Sequence, residues 1–208
     1  MTSPQGIRRR AVVTGASSGI GAATVRALRA TGWEVVGVAR RAERLAALDA
    51  EVGSASFAAD LSQAADVDAL AAHISRTGPL HALVHVAGGA RGTDRVEDGD
   101  PADWRWMFEA NVLSAQQVTA ALLPLLRAGI DADGHADTLY VTSTAAQTAY
   151  PGGAGYNAAK AGEAMLVHAL RLELNGEPIR VTEVAPGMVY TEEFTLNRLR
   201  GDRTTADK

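Results

Sequence analysis

The chain has 208 residues, 20 Lys and Arg against 24 Asp and Glu, and no cysteine. That length suits one domain with a sizeable core, and the slightly acidic balance offers no basic stripe to a nucleic-acid backbone. The missing thiols exclude disulfides, thiolate metal centres and cysteine nucleophiles, and no apolar stretch nears the ~18 residues of a membrane span, since Pro124 interrupts Ala120 to Leu126.

Arg8-Arg9-Arg10 open the chain, but Thr14 and Gly15 stop the apolar run after them, so a secretory signal is rejected and a cytoplasmic protein expected. A first strand, Ala11 to Val13, precedes a helical pattern from Ile20 to Ala30. Val35 to Val38 precedes one with Leu45 and Leu48, and a weaker run, Ala55 to Ala58, precedes one with Val67, Leu70 and Ile74. Leu83 to Val86 leads to a long pattern from Trp104 towards Leu126. Leu139 to Val141 precedes Tyr156 to Leu174, with Gly176 as its C-cap and Pro178 beyond, and Val181 to Val184 closes the series. Strand-sized and helix-sized segments alternate, and the strands are unbroken apolar runs of the kind buried on both faces. The pattern predicts an α/β fold: a single-domain, Rossmann-type, doubly wound parallel sheet over residues 1–208 with helices on both faces. From Thr195 to Lys208 apolar periodicity fades, and a mobile tail or the start of a further C-terminal region is expected there.

Gly15, Gly19 and Gly21 lie between the first strand and its helix in Thr14-Gly15-Ala16-Ser17-Ser18-Gly19-Ile20-Gly21. A strand, a glycine turn and a helix start bring backbone N–H groups and the positive helix end to one point, which suits a pyrophosphate. The second strand ends at Ala39, without the carboxylate that accepts ribose hydroxyls in an NAD site, and Arg40 and Arg41 follow. Two guanidinium groups at a helix start oppose the macrodipole unless a 2′-phosphate sits between them, so NADP is the expected cofactor; a solvated surface pair is the plainer reading.

Ser143 lies just past the fifth strand, and Tyr156 and Lys160 follow four residues apart, on one helical face. A carbonyl that accepts hydride develops charge on oxygen, which must be protonated and stabilised. Tyrosine ionises too high for easy exchange near neutrality, a lysine ammonium favours the phenolate, and a serine hydroxyl can bond the same oxygen.

The glycine turn TGASSGIG at 14–21 and the Ser–x12–Tyr–x3–Lys spacing resemble those of short-chain dehydrogenases/reductases, and the likeness runs through essentially the whole chain. The resemblance implies that Asn111 joins Ser143, Tyr156 and Lys160 as a catalytic position, holding a water relay to the lysine. It implies cofactor contacts from Gly15, Ser17, Ser18, Gly19, Ile20, Gly21, Arg40, Arg41, Asp60, Leu61, Ala87, Gly88, Tyr156, Lys160, Pro186, Gly187, Val189 and Thr191. Asp60 equally suits a cap or turn, and Pro186-Gly187 a sharp exit from the sheet. The family's fourth strand usually ends Asn-Asn-Ala-Gly, where this chain has His85-Val86-Ala87-Gly88; His85 is read as a packed structural residue. The other histidines have no ligand spacing, and no metal is expected.

The stretches ARRAERL at 39–45, STAAQTAYPGGAGYNAAK at 143–160 and TEEFTLNRLRGD at 191–202 look most like the NADP-dependent serine/3-hydroxy acid dehydrogenases. That likeness implies interconversion of a secondary alcohol and a carbonyl on a small 3-hydroxy acid, in a homodimer or homotetramer. The alternatives are a reductase of ketones or 3-oxoacyl groups on the same fold, and a non-catalytic dinucleotide-binding regulator. Family members usually continue with a strand beside the sixth, so an open edge is expected if the chain stops at Lys208.

Overall fold

The computed structural model describes residues 9–130, 134–191, 193–199 and 201. Six parallel strands form one sheet: β1 (Arg10–Thr14), β2 (Glu34–Ala39), β3 (Ala55–Ala58), β4 (Ala82–His85), β5 (Ala136–Val141) and β6 (Ile179–Val184), in the spatial order β3-β2-β1-β4-β5-β6. The helices are α1 (Gly19–Ala30), α2 (Ala42–Val52), α3 (Ala64–Thr77), α4 (Pro101–Phe108), α5 (Ser114–Ala128), α6 (Ala154–Glu173) and α7 (Phe194–Arg198). Alternation along a strand sends neighbours to opposite faces. Val12 therefore joins Leu70, Ile74, Val118, Leu122 and Val167 beneath α3, α5 and α6, while Val13 joins Val25, Leu45 and Leu48 beneath α1 and α2.

The order reverses between β1 and β4. The chain leaves β1 towards β2 on one side and β4 towards β5 on the other, so a crevice opens beyond their carboxyl ends. Among the described residues β6 pairs only with β5, and its outward-facing Val184 is 45% exposed. α6 ends at Leu174 as C-cap, and Gly176, with φ +89°, turns the chain two residues later than a capping glycine would. The segment expected to be a mobile tail or the start of a further C-terminal region begins in a short helix. Thr195 to Arg198 lie in α7, whose Phe194 ring packs edge-on against Tyr156 at 5.6 Å between centroids. Glu192, Arg200 and residues 202–208 lie outside the described residues.

His85 is structural. It is buried and stacked on Tyr140, its register partner on β5, with centroids 4.2 Å apart and planes 12° from parallel. Its Nε2 lies 3.2 Å and the Tyr140 hydroxyl 2.6 Å from Thr119 Oγ1, which donates its own proton to the Ala115 carbonyl. A hydroxyl has one proton to give, so Thr119 accepts from both rings, and the imidazole is neutral with its proton on Nε2. Burial pushes this imidazole from 6.5 down to about 3. Between those values the unfolded state binds the extra proton, so the contribution to stability is intact above pH 6.5 and is lost as pH falls through that window. Replacing His85 by Asn is expected to flatten the acid fall of Tm between pH 7 and pH 4. Parallel Tm curves for the two proteins would contradict this account.

Candidate active site

The glycine turn after β1 is built by removing side chains. Gly15 and Gly19 have φ of +66° and +50°. A Cβ on Gly15 would lie 2.8 Å from Ala87 N, and one on Gly21 would lie 2.2 Å from Gly15 O. Thr14 Oγ1 accepts from the N–H groups of Val86 and Ala87, each at 3.0 Å, which draws the ends of β1 and β4 together over the crevice. Ser18, at the N-cap of α1, makes no side-chain bond to the helix start, so its hydroxyl leaves the first-turn N–H groups available. Thr191 packs against this turn, its Cγ2 3.3 Å from the position of a Cβ on Gly19. Ile20 is half-buried and Leu61 buried, while Gly187 and Val189 are exposed; the Pro186 carbonyl accepts from Thr144 N at 2.9 Å.

The two arginines separate. Arg40 is exposed, whereas Arg41 folds over the turn, donating to Ser17 Oγ at 3.2 and 2.9 Å and to Ser18 Oγ at 2.9 Å. Arg41 also pairs with Glu193 at 2.7 Å, and Arg44 holds the other oxygen of the same carboxylate. The chain thus already seats an anion between guanidinium groups beside a turn without Cβ atoms, and these residues fit a dinucleotide bearing an extra phosphate. Asp60 closes a turn: its carboxylate accepts from Ser62 N at 3.1 Å and Ser62 Oγ at 2.8 Å, and its own N–H donates to Asp66 at 2.7 Å.

The second cluster lies beyond β4 and β5. Ser143 leaves β5 in extended backbone and its Oγ accepts from Ala145 N at 3.1 Å, opening a short 3-10 turn, Thr144–Ala146. Asn157 of α6 donates to the Ala145 and Thr148 carbonyls at 2.7 and 3.1 Å, fixing that turn to the helix carrying Tyr156. Lys160, one turn on, donates to the Val141 carbonyl at 3.1 Å and to Glu163 Oε2 at 2.6 Å. Asn111 sits in a π-helical turn, Glu109–Leu113, between α4 and α5. Its Nδ2 takes the Met107 carbonyl at 2.7 Å, the acceptor its own N–H would use in an α-helix, which accounts for the slipped ladder. The rest of the amide clamps Gly89, Nδ2 to O at 2.9 Å and Oδ1 from N at 3.1 Å. A Cβ on Gly88 would meet Asn111 Oδ1 at 2.5 Å and Lys160 Nζ at 3.5 Å, so the glycine lets those two groups approach.

Burial pushes the Tyr156 phenol from 10.0 up to about 12; a side-chain bond with Ser143 and the charge of Arg198 pull it down, and Glu163 and Tyr150 push it further up. The sequence led us to expect Lys160 to lower the phenol. In the structure Lys160 shares its charge with Glu163, and the cation acting on Tyr156 is Arg198, whose guanidinium carbon is 5.9 Å from the ring centre. Arg198 donates to Gly92 O at 3.2 Å, Tyr150 Oη at 2.9 Å and Gly152 O at 3.1 Å, drawing two loops around a crevice that reaches Tyr156 past Trp104 and Gly155. Sequence reasoning did not single out Arg198 and missed Asn157, Glu163 and Glu193. Glu163 carried a signal, an acid three residues after a lysine on a helix face otherwise made of small and apolar residues.

The short chain dehydrogenase family model matches residues 9–199. An uncharacterised oxidoreductase of Mycobacterium tuberculosis is 51% identical over 203 residues, covering 97% of this chain and 78% of the relative. Serine 3-dehydrogenase of Rhizobium radiobacter is 39% identical over 201 residues, covering 94% of this chain and 78% of that enzyme. The closed form of a serine dehydrogenase complexed with NADP+ superposes with a TM-score of 0.88 at 31% identity, covering 95% of this chain and 79% of the other. At that identity and coverage, the chain belongs to the short-chain dehydrogenase family and is an oxidoreductase.

Proposed function

We propose that the protein interconverts the alcohol and carbonyl forms of a small 3-hydroxy acid with NADP(H), and that Tyr156 exchanges the proton. The turn Gly15 to Gly21, with Ser17 and Ser18, would hold the pyrophosphate, and Arg41 flanked by Arg40 would hold the 2′-phosphate. Asp60 and Leu61 would border the adenine, Ala87 and Gly88 the middle of the cofactor, and Pro186, Gly187, Val189 and Thr191 its nicotinamide end. When bound, NADP+ accepts the hydride and NADPH supplies it. Ser143 bonds the substrate oxygen, Tyr156 gives or takes its proton, and the remaining N–H of Lys160 would help hold the cofactor. Asn111 holds Gly89 and the relay towards Lys160.

One observation carries the choice of substrate: Arg198 lies over the Tyr156 ring, and among the described residues no carboxylate pairs with it. A guanidinium oriented by three bonds and one residue-width from the proton donor is an anchor for a carboxylate. The test is a panel of 3-hydroxy acids, neutral secondary alcohols and 3-oxoacyl thioesters with each cofactor, run on the wild type and Arg198→Ala. We expect 3-hydroxy acids to be preferred, and the variant to raise their KM about 10- to 100-fold, the worth of one charged hydrogen bond, with neutral alcohols little changed. Equal losses for acids and neutral alcohols would refute the substrate assignment.

The same reading carries a cytoplasmic location, where NADP(H) is drawn from the cell's own pool. It also carries a homo-oligomer: Leu113, Met165 and Leu172 expose apolar surface around α5 and α6, the helices expected to pair across a two-fold axis.

A further inference from the structure

Glu163 has no part in the scheme above, yet it is among the most deeply buried charged residues described, 1% exposed at its side chain against 5% for Lys160. On the inner face of α6 it stands among Ala159, Ala164 and Val167. An apolar side chain would fill that place without the several kcal/mol that desolvating a carboxylate costs. Among the described residues the ion-pair partner of Glu163 is Lys160, through an i, i+3 contact at 2.6 Å. An ammonium has three N–H bonds. Glu163 and the Val141 carbonyl engage two of those of Lys160, which leaves one and fixes its direction.

We propose that Glu163 is a positioning residue for Lys160 whose carboxylate, by offsetting the ammonium charge from inside the fold, sets the pH at which Tyr156 releases its proton. This rests on the reading of Tyr156 as the proton-exchanging group. The groups that face the pair are few. Tyr156 shares α6 with it, Tyr140 approaches from β5, and Glu183 from β6, where its carboxylate accepts from Thr142 Oγ1 at 2.7 Å and meets His168 at 3.1 Å. Ser143, Tyr150 and Arg198 of α7 act on the phenol, and the crevice it lines also carries Arg91, Asp94, Asp100 and Asp103. Burial raises the Glu163 carboxyl, Lys160 lowers it, and Glu183 raises it again. Its negative charge in turn works against ionisation of Tyr156. Glu163 therefore restrains the phenolate through its own charge, and by engaging the ammonium of Lys160 it offsets the positive charge next to it on the helix.

Two readouts on Glu163→Gln test this. One is the pH dependence of kcat/KM for alcohol oxidation. The other is phenolate absorbance of the cofactor-free protein, taken as a difference against Tyr156→Phe. Both are expected to move about one pH unit downward in Glu163→Gln and in the apolar Glu163→Met, while Glu163→Asp, which keeps the charge, stays near wild type. An unchanged or upward shift in a folded Gln or Met variant overturns the proposal, whatever the loss of rate, and so does an Asp variant that shifts as far as Gln. If Tyr156→Phe turns over normally, the reading beneath the proposal has failed instead.

Discussion

Replacing Tyr156 by Phe is expected to lower kcat by about 10²–10⁴, the range for loss of a positioned acid or base, while Tm and cofactor affinity stay near wild type. The ring keeps its edge-on contact with Phe194, and only the hydroxyl, with its interaction with Ser143, is lost. The two directions of reaction differ in what they ask of that hydroxyl. Reduction needs it protonated, and with the phenol pushed up to about 12 it is protonated throughout the neutral range. Oxidation needs the phenolate, so its rate should climb with pH through the alkaline range in the wild type and lose that climb in the variant. Steady-state rates in both directions from pH 6 to 10 would check this. Near-normal turnover in Tyr156→Phe would move the proton exchange to another group and revive the non-catalytic reading of the fold.

The fold was legible because its signals were redundant. Unbroken runs such as Val35 to Val38 and periodic stretches such as Val67, Leu70 and Ile74 reappear as β2 and α3, one residue longer at each end for the strand and three for the helix. β5 was the least well bounded. It begins at Ala136, ahead of Leu139, where the half-buried Asp137 pairs with Arg180 of β6, a contact no local pattern announces. The site was legible where chemistry demands residue types at fixed spacing, as for Ser143, Tyr156 and Lys160. It was not legible where long-range contacts decide. Arg41 and Glu193 meet across 152 positions. Arg198 reaches Gly92 across 106. α7 has too few residues for a helical period, so periodicity read its arginines as tail. The slipped turn at Asn111 follows from one side-chain bond, to Met107, inside a stretch whose apolar pattern is that of an uninterrupted helix.

For Arg41→Ala we expect kcat/KM with NADP+ to fall about 10- to 100-fold and the value with NAD+ to change little, since one charge-assisted contact is worth about 1.5–3 kcal/mol. The end of β2 explains why the loss should be selective. Ala39 offers no carboxylate to the ribose hydroxyls, so discrimination rests on the guanidinium that follows. Arg41 now holds Ser17, Ser18 and Glu193 together, and a phosphate must take the place of the Glu193 carboxylate on it. Arg40, exposed and acting through its charge on Asp60, should matter less, so Arg40→Ala is the matched control. A parallel fall with both cofactors in Arg41→Ala would mean that the arginine braces the glycine turn itself, through its bonds to Ser17 and Ser18, and reads no phosphate. A wild type that already prefers NAD+ would leave the pair of guanidinium groups at the start of α2 as an electrostatic cost with no ligand to offset it.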